Sequence, residues 1–487
     1  MEITSGLDMS MAEKKNVKVA LVNPPITEGS FRHQLYLPMG LAYLAAVLEQ
    51  NGVEAKIIDC QALYIDHEHL KTELSSFQPD IVGVTSIAPL MSSALRSAKA
   101  AKEALPGVEV VMGGPHATFM DEQIIAEQPS VDLIVRGEGE ETLLEIAQSI
   151  GDRKKLHDIK GITFKEGDKV QRTPNRPFIA DLDSLPRPAY HLFDLDKYRL
   201  FGKRLLPVIT SRGCPFQCNF CVATRMFGKE YRMRSAEGVL DELEWLKNTH
   251  GAEAFTFYDD TLTFNKERLF KILDGMKSRG INLPWDCQTR VDQVSPEILS
   301  RMHAAGCEQV FFGVESGCQK VLNAISKKTR VEQNEKAIKM AKDAGLFVTI
   351  SLIIGYPGET QDTLRETLTF VQKTKPDDVY VCVATPFPGT ELRAAVERNG
   401  WKISDNFDCF DTMTPVFENP ELSLTPEEIK TFREQFYDSI YSPSYVARHL
   451  LSRNTYSRMM ARTAANHILW RLRSARKTKK TTAEPQA

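Results

Sequence analysis

Cys214, Cys218 and Cys221 fall within the stretch RGCPFQCNFC (residues 212–221), spaced C-x3-C-x2-C. Three thiolates from one short loop make a soft metal-binding donor set. A structural zinc site closes its tetrahedron with a fourth Cys or His, commonly from a second paired motif. No second C-x2-C or H-x3-H occurs downstream. The incomplete set fits a [4Fe-4S] cluster held at three irons, leaving the fourth iron open to a ligand. The apolar run LLPVITS leads straight into this loop, as a strand delivering a functional turn.

The rest of the chain must position that loop. At 487 residues it is long enough for two large domains and an appendage, and 42% apolar with 26% charged residues is the balance of a soluble globular protein with a sizeable core. The N-terminus lacks the charged-then-apolar pattern of a signal peptide, and no apolar run reaches membrane-spanning length. A cytoplasmic, reduced location is therefore expected, in which the nine cysteines stay free.

Residues 15–150 alternate strand and helix patterns. VKVALVNPP, EAKIIDC, DIVGVTS, EVVMGGPH and DLIVRGEGE read as strands, and GLAYLAAVLEQNG and SALRSAKAAKEALPG as helices stopped by glycine. That alternation predicts a parallel, doubly wound α/β sheet with ligands outside the carboxyl ends of its strands. The strand-end loops hold Asn23, Pro24 and Pro25; Thr85 and Ser86; Gly113, Gly114, Pro115 and His116; and Gly137, Glu138, Gly139 and Glu140. No G-x-G-x-x-G follows the first strand, so a dinucleotide is not expected. The glycines either let a broad ligand approach the backbone or serve as ordinary turn residues. Residues 151–200, with several prolines, read as an extended connector without chemistry.

From residue 201 to 420, strands again alternate with helices such as SAEGVLDELEWLKNTHG and RVEQNEKAIKMAKDAG. AFTFYDDTLTFN carries Asp259 and Asp260, LPWDCQTRVDQV carries Arg290, and QVFFGVESG carries Glu315 and Ser316. Cys287, Cys307, Cys318 and Cys382 are expected to be small apolar fillers.

The C-x3-C-x-φ-C spacing, with Phe220 at φ, and the ordered companion motifs resemble those of radical S-adenosylmethionine (SAM) enzymes. LVNPP, PMGLAYLAAVLEQNG, PDIVGVTS, VVMGGPHATF and LIVRGEGEETL resemble the cobalamin-binding Rossmann-like domain that precedes many such enzymes. The resemblance implies a partial (β/α)6 barrel over residues 203–395, with Cys214, Cys218 and Cys221 as cluster ligands and Phe220 beside them. It implies Asp259 and Asp260 at the methionyl amine, Arg290 at the SAM carboxylate, and Glu315 and Ser316 at the ribose or amine. Thr85, Ser86, Gly113, Gly114, Gly137 and Glu138 would border cobalamin. His116 would meet the corrin periphery or cap its own loop. The D-x-H-x-x-G motif that supplies a cobalt ligand elsewhere is absent, and His67 and His69 lack its aspartate and glycine, so no histidine on cobalt is expected.

What this implies functionally is reductive cleavage of SAM, with electrons from a low-potential flavodoxin or ferredoxin, and modification of an unactivated carbon by C-methylation or ring closure of a small-molecule, lipid or isoprenoid substrate. A corrinoid-binding sensor or carrier with an inactive barrel is the alternative. Catalytic side chains beyond the cofactor contacts, and the substrate itself, are not named by these motifs.

The helical C-terminal region, residues 421–487, is charged differently from the body. Residues 439–482 contain ten Lys and Arg and no Asp or Glu, so a net charge of −3 leaves −13 on the rest. Leu450, Leu451, Tyr456, Met459, Met460, Ile468, Leu469, Trp470 and Leu472 interleave with Arg448, Arg453, Arg458, Arg462, Arg471 and Arg473. This pattern suits peripheral attachment to an anionic membrane surface. A helix capping the barrel is the plainer reading, and nucleic acid is the least favoured partner.

Overall fold

The computed structural model describes residues 17–26, 35–200, 202–420, 424–452 and 454–481, with side chains to residue 469 except His467. The first sheet is built on β1 (Lys18–Asn23), β2 (Glu54–Asp59), β3 (Ile81–Thr85), β4 (Glu109–Gly113) and β5 (Leu133–Val135), all parallel. These strands are nearly continuous apolar runs because helices cover both faces. Leu41, Ala45, Ala46 and Leu48 of helix Met39–Gln50 pack on one face, and helix Met91–Ala104 packs on the other. The connector departs from the expected extended crossing. β6 (Ile162–Glu166) and β7 (Lys169–Arg172) form an antiparallel hairpin that joins β5, giving the order β2-β1-β3-β4-β5-β6-β7. Ile162 and Phe164 bury against the same core as Leu133, which explains the recruitment.

The second sheet has the order β16-β15-β14-β13-β12-β9-β8. Its parallel strands are β9 (Lys203–Val208), β12 (Ala254–Phe257), β13 (Trp285–Arg290), β14 (Cys307–Glu315), β15 (Phe347–Ile354) and β16 (Asp378–Val383). Short β8 (Arg199–Leu200) pairs antiparallel at the edge. The six parallel strands curl with helices outside, as the partial (β/α)6 barrel requires. A separate two-stranded ribbon, β10 (Ser211–Arg212) with β11 (Arg232–Met233), brackets the cysteine loop.

Two later segments lock the assembly. Phe407, Phe410 and Val416, after the last barrel strand, pack with Ala88 of the first domain. Helices Pro443–Leu450 and Thr455–Thr481 cover the barrel floor: Asn454 donates to the Glu308 carbonyl, Thr455 N to Glu308, and the Tyr456 hydroxyl to Asp286. The tail therefore caps the barrel, and the membrane pattern divides. Met460 is buried and Tyr456 and Met459 pack on the core, so these three are not available for insertion. Leu450, Leu451 and Leu469 stay exposed beside exposed Arg448, Arg458 and Arg462. Arg453, Trp470, Arg471, Leu472 and Arg473 lie outside the described side chains. Among the described residues, no helix is long and apolar enough to cross a membrane.

The floor also holds acids in unusual states. Burial pushes Asp378 up to about 7, with the Tyr441 hydroxyl donating to it, and Asp286 up to about 6, with Tyr456 and Thr256 donating. A carboxyl whose folded pKa is raised keeps its proton in the native state after the unfolded chain has released it. Each therefore removes stability as pH rises from about 4 towards 7. Asp378→Asn preserves an acceptor for Tyr441 and Val379 N. The variant should be more stable than the parent at pH 8 by about 2–4 kcal/mol and level with it near pH 4. Denaturant melts across that range check the slope; parallel pH profiles would show that Asp378 is not the source.

Candidate functional site: a cavity between two carboxyl-end faces

A cavity of about 660 Å³ lies where the strand ends of the first sheet face the mouth of the barrel. Thr85, Gly113, Gly114, Gly137 and Glu138 line one wall, and Ser211, Arg212, Tyr258 and Asp260 line the other. The glycines matter for shape. A Cβ on Gly114, whose φ is +96°, would lie 2.6 Å from the Ser86 carbonyl, whereas a Cβ on Gly40 or Gly137 meets no protein atom within 4 Å and would project into open space. The backbone thus forms a bare, apolar-floored cradle suited to a broad planar ligand.

Two expected contacts turn away from it. Ser86 is fully buried, its Oγ donating to the Gly113 carbonyl at 2.9 Å and accepting from Ala117 N at 3.1 Å. It builds the loop and does not border the cavity. His116 is packed edge-on against Phe407 with centroids 4.4 Å apart, and burial pulls its pKa down to about 4. It does not line the cavity and makes no capping hydrogen bond through its side chain; it is a contact for the strap that crosses from the barrel. His67 contacts the Ser93 carbonyl and His69 contacts Asp66. No histidine lines the cavity among the described residues.

The cysteine loop sits on the barrel side. Cys214 N donates to the Gly228 carbonyl, Cys221 N to the Cys218 carbonyl, and Thr224 Oγ1 to the Phe216 carbonyl at 2.8 Å. Gly213 is obligatory: its φ is +89° and a Cβ would lie 2.1 Å from the Glu230 carbonyl oxygen. Phe220 packs beside Val321, Leu322 and Ile325 and pins the loop to the barrel. All three thiols are free and partly accessible. Burial raises Cys214, and raises Cys221 to about 12, so their surroundings alone leave them protonated. Among the described residues no three His, Cys, Asp or Glu side chains converge as a single-ion site. Three thiols from one loop without a fourth Cys or His suit a [4Fe-4S] cluster held at three irons, whereas a structural zinc would be left one ligand short.

Around the loop, the acidic and basic residues take distinct parts. Arg290 is locked to Asp292 by two bonds of 2.9 Å, lies over the Phe216 ring at 3.7 Å, and has Nη1 3.6 Å from Cys218 Sγ. Asp260 faces the cavity, and burial, with Asp259 second, raises it to about 6. Asp259 does not share that face. Both its oxygens are occupied by Thr210 and Ser211, where it ties β12 to the end of β9. Glu315 accepts from Lys327 and Ser351. Ser316 is fully buried, paired with Thr367 and accepting from Cys318 N, so its hydroxyl is taken up by the turn that leads into helix Gln319–Ala324 and does not line the cavity. Of the leftover thiols, Cys287, Cys307 and Cys318 are buried fillers, while Cys382 is only partly buried.

A feature with no sequence motif joins the two walls. Glu138 accepts from Arg212 at 3.0 Å, from Arg232 at 2.9 Å and from Ile179 N at 2.8 Å, while Glu140 accepts from Arg212 at 2.6 Å. All four side chains are buried. They clamp the Gly137–Glu140 loop of the first domain to the β10–β11 ribbon, two residues before Cys214.

Two family models match the chain: the B12 binding domain over residues 32–147 and the radical SAM superfamily over residues 208–371. The chain is 37% identical to an uncharacterized methyltransferase of Pyrococcus horikoshii, over 88% of this chain and 93% of that one. It is 32% identical to the anaerobic magnesium-protoporphyrin IX monomethyl ester cyclase of Cereibacter sphaeroides, over 89% of this chain and 68% of that one. Its fold is similar to that of TsrM, a radical SAM methyltransferase from Kitasatospora setae solved with cobalamin and a [4Fe-4S] cluster, with a TM-score of 0.70 at 17% identity, covering 93% of this chain and 99% of that one.

Proposed function

Starting from a chain that belongs to the B12-binding radical SAM family, an enzyme with a [4Fe-4S] cluster, SAM and cobalamin as cofactors, we propose that it modifies an unactivated carbon of a small-molecule substrate by C-methylation or ring closure. A lipid or isoprenoid is the substrate class we favour, on the exposed basic and apolar residues of the tail. The observation that carries the proposal is the single cavity walled by the glycine-lined strand ends of one domain and by Asp260, Tyr258 and Arg212 of the other.

When bound, the cluster supplies the electron that splits the SAM sulfonium, and cobalamin supplies a methyl relay. Cys214, Cys218 and Cys221 would hold the cluster, Asp260 would receive the methionyl amine, Arg290 the carboxylate, and Glu315 the ribose. Thr85, Gly113, Gly114 and Gly137 let the corrin approach the backbone. Both a methyltransferase and a cyclase are relatives, so the outcome is read from the product. Anaerobic incubation of the reconstituted protein with lipid extracts and trideuteromethyl-labelled SAM separates the two: methylation adds the labelled group, and ring closure removes two hydrogens without label. A reaction with neither change in any extract removes the lipid assignment.

Because no histidine among the described residues lines the cavity, replacing the protein's histidine nitrogen with 15N should leave the electron paramagnetic resonance spectrum of the Co(II) state unchanged, which separates a protein ligand from the cobalamin's own base. A change in the nitrogen splitting on labelling would contradict the placement of His116.

For the tail, cosedimentation of full-length protein with anionic vesicles at low salt, weakened by salt, is expected. Combined Arg448→Glu, Leu451→Ser and Arg458→Glu changes should abolish it without disturbing the floor. Truncation at residue 443 is a poor test, since it uncovers Asp286 and Glu308. Protein that stays in the supernatant at low salt leaves the lipid preference unsupported.

A further inference from the structure

Lys327 carries no motif, yet it is only 5% exposed beside the ends of β14 and β15. Its Nζ donates to Glu315 Oε1 at 2.8 Å, and Ser351 Oγ donates to Glu315 Oε2 at 3.0 Å. The backbone is distorted to make this arrangement. Glu315 has φ +67°, the β14 register slips between Gly313 and Glu315, and Lys327 is flanked by Ser326 at φ +55° and Lys328 at φ +58°. Non-glycine residues in that region cost about 1–3 kcal/mol each and persist only where the surroundings enforce them. The strand also leaves out a side chain to make room: a Cβ on Gly313 would lie 2.7 Å from both Lys327 Nζ and Glu315 Oε1. The Lys327 carbonyl accepts from Arg290 Nη2 at 2.9 Å, and the same guanidinium reaches Cys218. A buried ion pair is thus wired to the cysteine loop through one arginine.

We propose that Lys327 is a positioning residue for SAM, holding Glu315 so that its remaining lone pairs accept the two ribose hydroxyls. This rests on the reading that Glu315 meets the ribose. An ionised carboxylate offers about four acceptor positions; Lys327 and Ser351 take one on each oxygen, leaving one on each for a vicinal diol. The ammonium also offsets the cost of burying the carboxylate, which an isolated charge would bear in full. A pair kept only for stability would need neither the bulge nor the left-handed residues around it.

The test is SAM binding by calorimetry to the cluster-loaded full-length protein, comparing SAM with its 2'-deoxy and 3'-deoxy analogues. The parent should prefer SAM by about tenfold or more, the worth of a charge-assisted hydrogen bond. Lys327→Met should cut that preference to about threefold or less, and Lys327→Arg should restore it. Lys327→Gln, whose amide is uncharged and one atom shorter than the lysine and so cannot hold Glu315 as the ammonium does, is measured alongside in case the methionine variant does not fold. Full preference in Lys327→Met or Lys327→Gln, with preference lost in Glu315→Gln, would overturn the role of Lys327 alone. Full preference in Glu315→Gln would overturn the ribose reading, and the proposal with it.

Discussion

Replacing Cys214, Cys218 and Cys221 together with alanine should eliminate bound cluster iron and reduce formation of 5'-deoxyadenosine from SAM to background, a loss of at least about a thousandfold, because the cluster's irons then have no thiolate to hold them. Each single alanine variant should fall nearly as far, since a cluster held at two irons is labile. Fold and cobalamin binding should persist, as the loop is anchored by backbone bonds to Gly228 and by Phe220 and not by the thiols. Iron analysis and product chromatography on the anaerobic protein measure both effects. Parent-level iron in the triple variant would place the cluster elsewhere.

The second large effect is expected at the cross-domain clamp. Glu138→Ala leaves the Arg232 guanidinium without a carboxylate and strips one of two from Arg212, both buried. Breaking a buried pair from one side costs about 3–5 kcal/mol, far more than the pair contributes net. Because the clamp borders Cys214 and the cavity together, the variant should also lose cobalamin affinity and shed iron faster on dilution. Glu141→Ala removes a partly exposed partner of Arg176 and should change stability by less than about 1 kcal/mol. Equal melts for the two variants would show that the clamp is not structural.

How legible this was depends on the range of each interaction. The cysteine loop and the alternating strands were readable because spacing and periodicity are local. The loops at Thr85, Gly113 and Gly137 were placed at a ligand face because parallel sheets present carboxyl ends there. Side-chain direction was not readable at Ser86, His116, Asp259 and Ser316. Each is adjacent to a cavity-facing or motif residue, but the chain turns it into the structure: Asp259 towards Thr210, Ser316 towards Thr367, His116 towards Phe407. The Glu138–Arg212 clamp joins residues 74 apart in the sequence, and neither partner has local periodicity to betray it. The alternation of GEGEE, with two acids buried opposite an arginine that precedes the first cysteine, was the available signal. In the tail, basic amphipathic spacing is the same whether the apolar side meets lipid or a barrel floor. Only the partners Asp286 and Glu308 decide it for Tyr456 and its neighbours.

The most direct test of the central claim is a single anaerobic assay on full-length protein reconstituted with iron, sulfide and cobalamin, given a low-potential reductant and SAM, with 5'-deoxyadenosine quantified. An active radical SAM barrel working beside its cobalamin domain should form 5'-deoxyadenosine in step with reductant. Stoichiometric cobalamin binding with no 5'-deoxyadenosine above the triple-alanine background would contradict the enzyme reading and leave a corrinoid carrier or sensor in its place.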